Sequence, residues 1–230
     1  MKFLSDFIRL FFPRACCICG MPLVESEHQI CSACLLDLPE VPSSLGEDNF
    51  VERRLRGRIP VQNATALYVF RQQSGTQQVL HQIKYQGNEE LAVMMGESLG
   101  LHLAASHLFD TVDVIIPVPL HRRKQRRRGY NQSQMLCDGI AYTFPRPVMV
   151  GNLVRIRYTE TQTLKNRQQR LDNMKDVFAV GDVEALRGKH VLLVDDVITT
   201  GATFEACWMA LKHVEGITIS VAALAVTGDT

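Results

Sequence analysis

Two kinds of apolar pattern alternate along the 230-residue chain. Compact apolar runs at residues 64–70, 112–118, 190–194 and 217–226 read as buried strands, the second of them ending at Pro119. A shorter run at 153–156 reads as a short strand. Between them, residues 76–84, 89–106, 132–143 and 203–214 carry helical spacing. In the second of these, Leu91, Met94, Met95, Leu99 and Leu103 recur on successive turns. Strands alternating with helices predict an α/β fold with a mostly parallel sheet flanked by helices. Near the start, Phe3, Leu4, Phe7, Ile8, Phe11 and Phe12 share one helical face. That face suits packing on its own domain, with a membrane surface or a partner as the alternatives. Pro42, Ser43, Ser44, Gly46, Glu47, Asp48 and Asn49 form a loop-like stretch. It divides a small N-terminal module, residues 1–45, from a main domain, residues 46–230.

The pattern also bounds the compartment. No apolar run exceeds six residues, whereas a spanning helix needs about 20, so no transmembrane segment is expected. Ser5, Asp6 and Arg9 interrupt the apolar start, and no small-residue cleavage site follows it. The expected location is cytoplasmic, with the inner face of the membrane as the alternative. Reduced thiols are expected there, and disulfides are not.

Four of the seven cysteines then take on a specific meaning: Cys16 and Cys19, eleven residues, Cys31 and Cys34. Each C-x2-C turn presents two thiolates to one ion, and two such turns complete a closed tetrahedral S4 site for a structural zinc. Cys17 competes with Cys16, and only the i, i+3 spacing favours Cys16. His28 reads as solvated, Cys137 and Cys207 as buried core fillers.

Composition alone excludes little. The formal net charge is +1 and 46% of residues are hydrophobic, ordinary values for a folded domain. The neutrality is an average, however. Residues 118–175 hold 13 basic and 3 acidic side chains, a local +10, so the rest totals −9. A polyanion partner therefore stays open.

The strongest chemical signal follows the run at 190–194. Two adjacent carboxylates, Asp195 and Asp196, stand at the end of a buried strand, and a loop of hydroxyls and glycine leads into a helix. In open α/β sheets, ligands bind at the carboxyl ends of the strands. Thr199, Thr200, Gly201, Ala202 and Thr203 can wrap N–H groups and hydroxyls around a phosphate at a helix N-terminus. Carboxylates would repel that phosphate, so they must face another part of the ligand. Ribose hydroxyls are the natural partner, with Mg2+ available to share the charge. The inferred ligand is a sugar phosphate. No Gly-Lys-Ser/Thr follows, so this is not a Walker loop.

Residues 194–203, Val-Asp-Asp-Val-Ile-Thr-Thr-Gly-Ala-Thr, resemble the phosphoribosyl pyrophosphate (PRPP) signature of type I phosphoribosyltransferases. The resemblance implies that Asp195 and Asp196 hold the ribose at the catalytic centre and that Thr199, Thr200, Gly201, Ala202 and Thr203 hold its 5-phosphate. It implies PRPP and Mg2+ as ligands.

The basic middle bears on the same end of the sheet. Arg122, Arg123, Lys124, Arg126, Arg127 and Arg128 put six cations in seven residues, in a loop after the strand that ends at Pro119. By position this segment resembles the family's pyrophosphate loop. Six cations exceed one pyrophosphate's need, which leaves nucleic acid as a second candidate for the same residues. A second polar region, Arg155, Arg157, Thr161, Gln162, Thr163, Lys165, Arg167 and Arg170, lies where the family carries a mobile catalytic loop. An exposed basic helix is the alternative.

The cysteine quartet, Pro117-Val-Pro-Leu-His121, Arg128-Gly-Tyr-Asn-Gln132, Thr161-Gln162 with Arg167, and the loop at 195–203 together resemble the ComF family. That family joins a four-cysteine zinc module to a phosphoribosyltransferase-like domain. The resemblance implies a role in DNA uptake, natural transformation or DNA utilisation, with single-stranded DNA and a helicase-like competence protein as candidate partners. Three functions compete: a phosphoribosyltransferase of open acceptor, a nucleic-acid-binding accessory whose sugar-phosphate site is vestigial or a sensor, and a zinc-stabilised adaptor. Neither a general base nor a base-recognition pocket is legible.

Overall fold

The computed structural model describes residues 14–42, 49–156 and 177–228. The face built from Phe3 to Phe12, most of the loop-like stretch after Pro42, and the polar region from Arg157 to Arg170 lie outside them.

Four parallel strands make the main sheet: β1 (Ala64–Phe70), β2 (Val114–Pro117), β5 (His190–Ile198) and β6 (Thr218–Thr227). Their order is β1-β6-β5-β2. The central pair, β5 and β6, carries long apolar runs, Val191–Val194 and Val221–Val226, because both of its faces are covered. Val191 and Leu193 point into one buried cluster, with Val51, Leu55, Phe204 and Leu211. Leu192 and Val194 point into the other, with Leu80, Leu99, Leu136 and Ile140.

The first layer holds α2 (Phe50–Leu55) and α7 (Ala202–Leu211). The second holds α3 (Gly75–Tyr85), α4 (Glu89–Ser106) and α6 (Gln132–Thr143). Helices α4 and α6 touch backbone to backbone at Gly96 and Gly139: a Cβ at Gly139 would stand 2.1 Å from the Val93 carbonyl oxygen. A two-stranded antiparallel ribbon, β3 (Leu153–Arg155) with β4 (Phe178–Val180), stands apart from the main sheet. One turn of 3-10 helix (Glu184–Leu186) precedes β5.

The cysteine module, with its short helix α1 (Ser32–Leu36), shares the second cluster. Cys16, Ile30 and Leu38 are buried beside Val79, Leu80 and Ile83. Gln29 bridges to α4, accepting from Asn88 Nδ2 at 2.8 Å and donating to Glu90 Oε2 at 2.9 Å. Pro39 accepts from the Val69 N–H at 2.7 Å, and Leu67 accepts from the Val41 N–H at 2.9 Å.

Two local readings need correction. The cations Arg122–Arg128 form a short helix, α5, rather than a loop. The His121 side chain accepts from the Arg123 N–H at 3.2 Å and caps its start, and arginine is a good helix former. Strand β5 also runs past Val194 to Ile198, so Asp195 and Asp196 stand within the strand rather than beyond it; Asp195 pairs with Ala223. Among the described residues no helix is long and apolar enough to cross a membrane.

Candidate functional site

The end of β5 carries both acids inside the protein: Asp195 is 9% exposed and Asp196 3%. Asp195 Oδ1 accepts from the Ser133 hydroxyl and from the Asp196 N–H, each at 2.9 Å. Burial, together with the neighbouring Asp196 charge, pushes the Asp195 carboxyl up to about 7. Asp196 Oδ1 meets the Lys84 ammonium at 2.8 Å. Its Oδ2 is buried and has no hydrogen-bond partner among the described residues. Carboxylate oxygens left bare in a protein interior are costly, so this atom is the acceptor most in need of a donor.

Helix α6 reaches this point because Asn131 fixes its start. Asn131 Oδ1 accepts from the Ser133 N–H at 3.1 Å, and its Nδ2 donates to the Val118 carbonyl at 3.1 Å. One residue thus ties the helix bearing Ser133 to the chain leaving β2. Lys84 is placed by α3, whose Thr76, Val79, Leu80 and Ile83 are buried. The buried Tyr130 donates its hydroxyl hydrogen to the Ile83 carbonyl, which braces the segment between α5 and α6 against α3.

Beyond β5, Thr199 and Thr200 are exposed, and Gly201 turns the chain into α7 at φ +77°. A side chain there would be strained by that φ, and its Cβ would lie 2.7 Å from Leu55 Cδ2. The Ala202 N–H is turned toward Thr200 Oγ1 at 3.4 Å, and Thr203 is half-buried in the first turn. Helix α2 and the turn after it hold this loop and the first turn of α7. Arg54 donates to the Thr199 carbonyl at 2.8 Å and to Thr227 Oγ1 at 3.0 Å, while Arg58 pairs with Glu205 at 2.8 Å.

On α5, Arg122, Arg123, Arg126 and Arg127 are exposed, and Lys124 and Arg128 are half-buried. Burial and then the charges of Arg155, Arg128, Arg127 and Lys84 lower the Lys124 ammonium, which places it among cations. Arg128 donates to Gln132 Oε1. Between α5 and the β3 ribbon lies a cavity of about 450 Å3, walled by Pro119, Leu120, Val150 and Ile156 and edged by Arg122, Asn131 and Arg155. No pattern in the sequence announced that cavity.

The structure therefore brings Asp195, Asp196 and the loop from Thr199 to Thr203 to the carboxyl end of the sheet, with α5 after the neighbouring strand β2. Lys84, Ser133, Arg54 and Arg58 are the residues that sequence reasoning missed. Their signal is long-range: 145 residues separate Arg54 from Thr199. Among them only Ser133, next to the Arg128–Gln132 motif, stood near a recognisable pattern.

At the other end of the chain, the Sγ atoms of Cys16, Cys19, Cys31 and Cys34 all lie within 4.8 Å of one another. Zinc–sulfur bonds of about 2.3 Å set tetrahedron edges of about 3.8 Å, and Cys19 and Cys31 stand 3.8 Å apart. The donor set and its spacing are compatible with a structural zinc. Burial opposes ionisation of Cys16, yet backbone N–H groups of Cys19, Cys31 and Ile18 hold its thiol down to about 6. Cys17 falls outside the quartet, with burial and the adjacent Cys16 pushing it up to about 11. The spacing argument for Cys16 agrees with this geometry. His28 is exposed, and Cys137 and Cys207 are fully buried.

Residues 133–229 match the phosphoribosyl transferase domain family. Over 209 residues the chain is 30% identical to the DNA utilization protein YhgH of Salmonella typhimurium, covering 84% of this chain and 88% of that one. The chain belongs to the ComF family. Competence protein F of Haemophilus influenzae is 35% identical over 99 residues, 43% of each chain. Among solved structures, an adenine phosphoribosyltransferase is similar at TM-score 0.40 and 15% identity, over 64% of this chain and 74% of that one. As a ComF chain, this one has its acid pair inside the matched phosphoribosyl transferase region and its cysteine quartet outside it.

Proposed function

We propose that the chain binds PRPP or a closely related 5-phosphoribosyl ligand and transfers or senses its phosphoribosyl group in DNA utilisation or competence. The observation that carries this is the buried Asp196 Oδ2 without a partner, beside Asp195 and the Gly201 turn. Ribose hydroxyls donate hydrogen bonds, and an acid pair sunk at the carboxyl end of the inner strand β5 accepts them. Thr199, Thr200 and the N–H groups of Gly201, Ala202 and Thr203 hold the 5-phosphate, with Arg54 bracing that loop and Arg58 the helix that follows it. The cations of α5, Lys124 among them, face the pyrophosphate. Mg2+, when bound beside Asp195 and Asp196, supplies charge to the leaving pyrophosphate. Catalysis is then positioning and charge stabilisation. The quartet Cys16, Cys19, Cys31 and Cys34 holds a structural zinc. The names of the relatives, DNA utilization protein and competence protein F, support the cellular role.

Calorimetric titration of the full chain with PRPP and Mg2+ tests the reading. Saturable binding that disappears in Asp195→Asn/Asp196→Asn is expected. Failure of the wild-type chain to bind PRPP refutes it.

A second reading has its own observation: four exposed arginines on the seven-residue helix α5. One pyrophosphate does not use them all, and a nucleic-acid backbone does. An oligonucleotide affinity that falls steeply with salt, with a shallower slope in Arg126→Gln/Arg127→Gln, is the expected result. A helicase-like partner follows only from the family's role.

A further inference from the structure

The outward face of α3 takes part in neither the core nor the acid pair. Its inward residues are buried, and Lys84 turns to Asp196. What remains outside is Gln77, Gln78, His81, Gln82 and Tyr85, a face without a carboxylate. His81 and Tyr85, one turn apart, hold their ring centroids 5.2 Å from each other at an interplanar angle of 41°. Tyr85 is 64% exposed, a large aromatic surface to leave in water. The Arg128 guanidinium lies 5.9 Å from the Tyr85 ring centroid, so the last turn of the cationic helix α5 meets this ring directly. At the far end, against the cysteine module, Gln77, Gln78, His81 and Gln82 with Cys17 line a recess of about 260 Å3. An 11-residue helix is about 16 Å long, so amides, rings and cations follow one another along a continuous strip.

We propose that this strip binds single-stranded nucleic acid, with bases stacked on Tyr85 and His81 and the backbone running onto α5. The proposal rests on the second reading above and names its binding face. The chemistry selects the partner. Exposed rings beside a positively charged track are how single strands are held without sequence preference. Side-chain amides in the recess offer donors and acceptors to base edges. In a duplex the bases already cover one another's faces, so a duplex engages the cations alone. A purely helix-stabilising role for the His81–Tyr85 pair explains neither the Arg128 placement nor the amide-lined recess.

The test is fluorescence anisotropy of the full chain with an oligothymidylate of about 15 nucleotides and an abasic strand of the same length, which keeps the phosphates and removes the bases. Stacking of about 1–3 kcal/mol per base predicts at least a tenfold preference for oligothymidylate. Tyr85→Ala removes most of that preference, Tyr85→Phe keeps it, and neither changes the salt slope measured on the abasic strand. Equal affinity for the two strands, or a preference that survives Tyr85→Ala, overturns the stacking face and leaves the α5 reading intact. Absence of binding to either strand overturns both. PRPP titration of Tyr85→Ala, expected to match the wild-type chain, keeps this outcome separate from the phosphoribosyl reading.

Discussion

Replacing Lys84 with methionine keeps most of the packed stem and removes only the charge that faces Asp196. The pair is 2.8 Å long, with side-chain exposures of 20% for Lys84 and 4% for Asp196. Unit charges about 4 Å apart at an effective dielectric constant of about 20 attract by about 4 kcal/mol. Breaking a buried pair costs about 3–5 kcal/mol, and the partial exposure of Lys84 reduces this to about 2 kcal/mol at pH 6. The loss then grows with pH. In the wild-type chain the Asp195 carboxyl sits at about 7, and Lys84 is one of the charges that lowers it. Without that cation Asp195 keeps its proton to higher pH. Above pH 7 the folded variant therefore holds more proton than the folded wild-type chain, and its deficit widens by up to about 1.4 kcal/mol per pH unit. At about 2–4 °C per kcal/mol for a chain of this size, the melting temperature falls by about 4–8 °C at pH 6 and further at pH 8. Thermal melts at both pH values, with Lys84→Met/Asp196→Asn alongside, read the effect. The double variant recovers most of the loss. A deficit independent of pH and unrelieved in the double variant would show that Lys84 acts through packing and refute the electrostatic account.

Asp195 takes stability away from the wild-type chain as pH rises from about 4 to about 7, because its folded carboxyl keeps a proton that the unfolded one has released; Asp195→Asn removes that contribution from a melting-temperature profile. Gly201→Ala, forced to φ +77° with its Cβ against Leu55, costs about 1–2 kcal/mol in chemical denaturation and weakens PRPP binding in calorimetry. Gly139→Ala meets the Val93 backbone, which cannot step aside, and costs about 3 kcal/mol or more, visible as a lower denaturation midpoint. Metal analysis of purified chains gives one zinc per wild-type or Cys17→Ser chain and sub-stoichiometric zinc in Cys31→Ser, whose melting temperature drops.

Elements whose periodicity and caps agree were legible to the residue. Ala64–Phe70, Glu89–Ser106 and Gln132–Thr143 have the predicted limits. Helix α4 starts where Asn88 accepts from the Leu91 N–H, and α6 where Asn131 accepts from the Ser133 N–H. Polar side chains misled elsewhere. Asp195 and Asp196 look like loop residues, yet their backbone continues the ladder with β6, a pairing decided by a strand far along the chain. The arginine run looks like a solvated loop, since a charge run carries no apolar period to betray a helix. Strand β4 is three residues long and went unread. The acids and the loop after them were legible because they are contiguous. Lys84 and Arg54 were not, because a one-dimensional pattern records spacing and not which distant cation a buried carboxylate or carbonyl will meet.

Those distant contacts also place the two proposed ligands on one helix. Three consecutive residues of α3 serve three neighbours: the Ile83 carbonyl takes the Tyr130 hydroxyl, Lys84 neutralises Asp196, and Tyr85 lies under Arg128. Successive helical residues point about 100° apart, so a rotation or shift of α3 that helps one contact strains the others. Charge links them too. A polyanion at the acid-pair site is drawn to Lys124 and Arg128, the same cations that a strand stacked on Tyr85 would use. Occupancy of either site removes positive potential from the other, and linkage requires the two effects on affinity to be equal. The near-neutral chain total conceals this arrangement: a buried acid pair and an exposed cationic helix, joined by the end of α3.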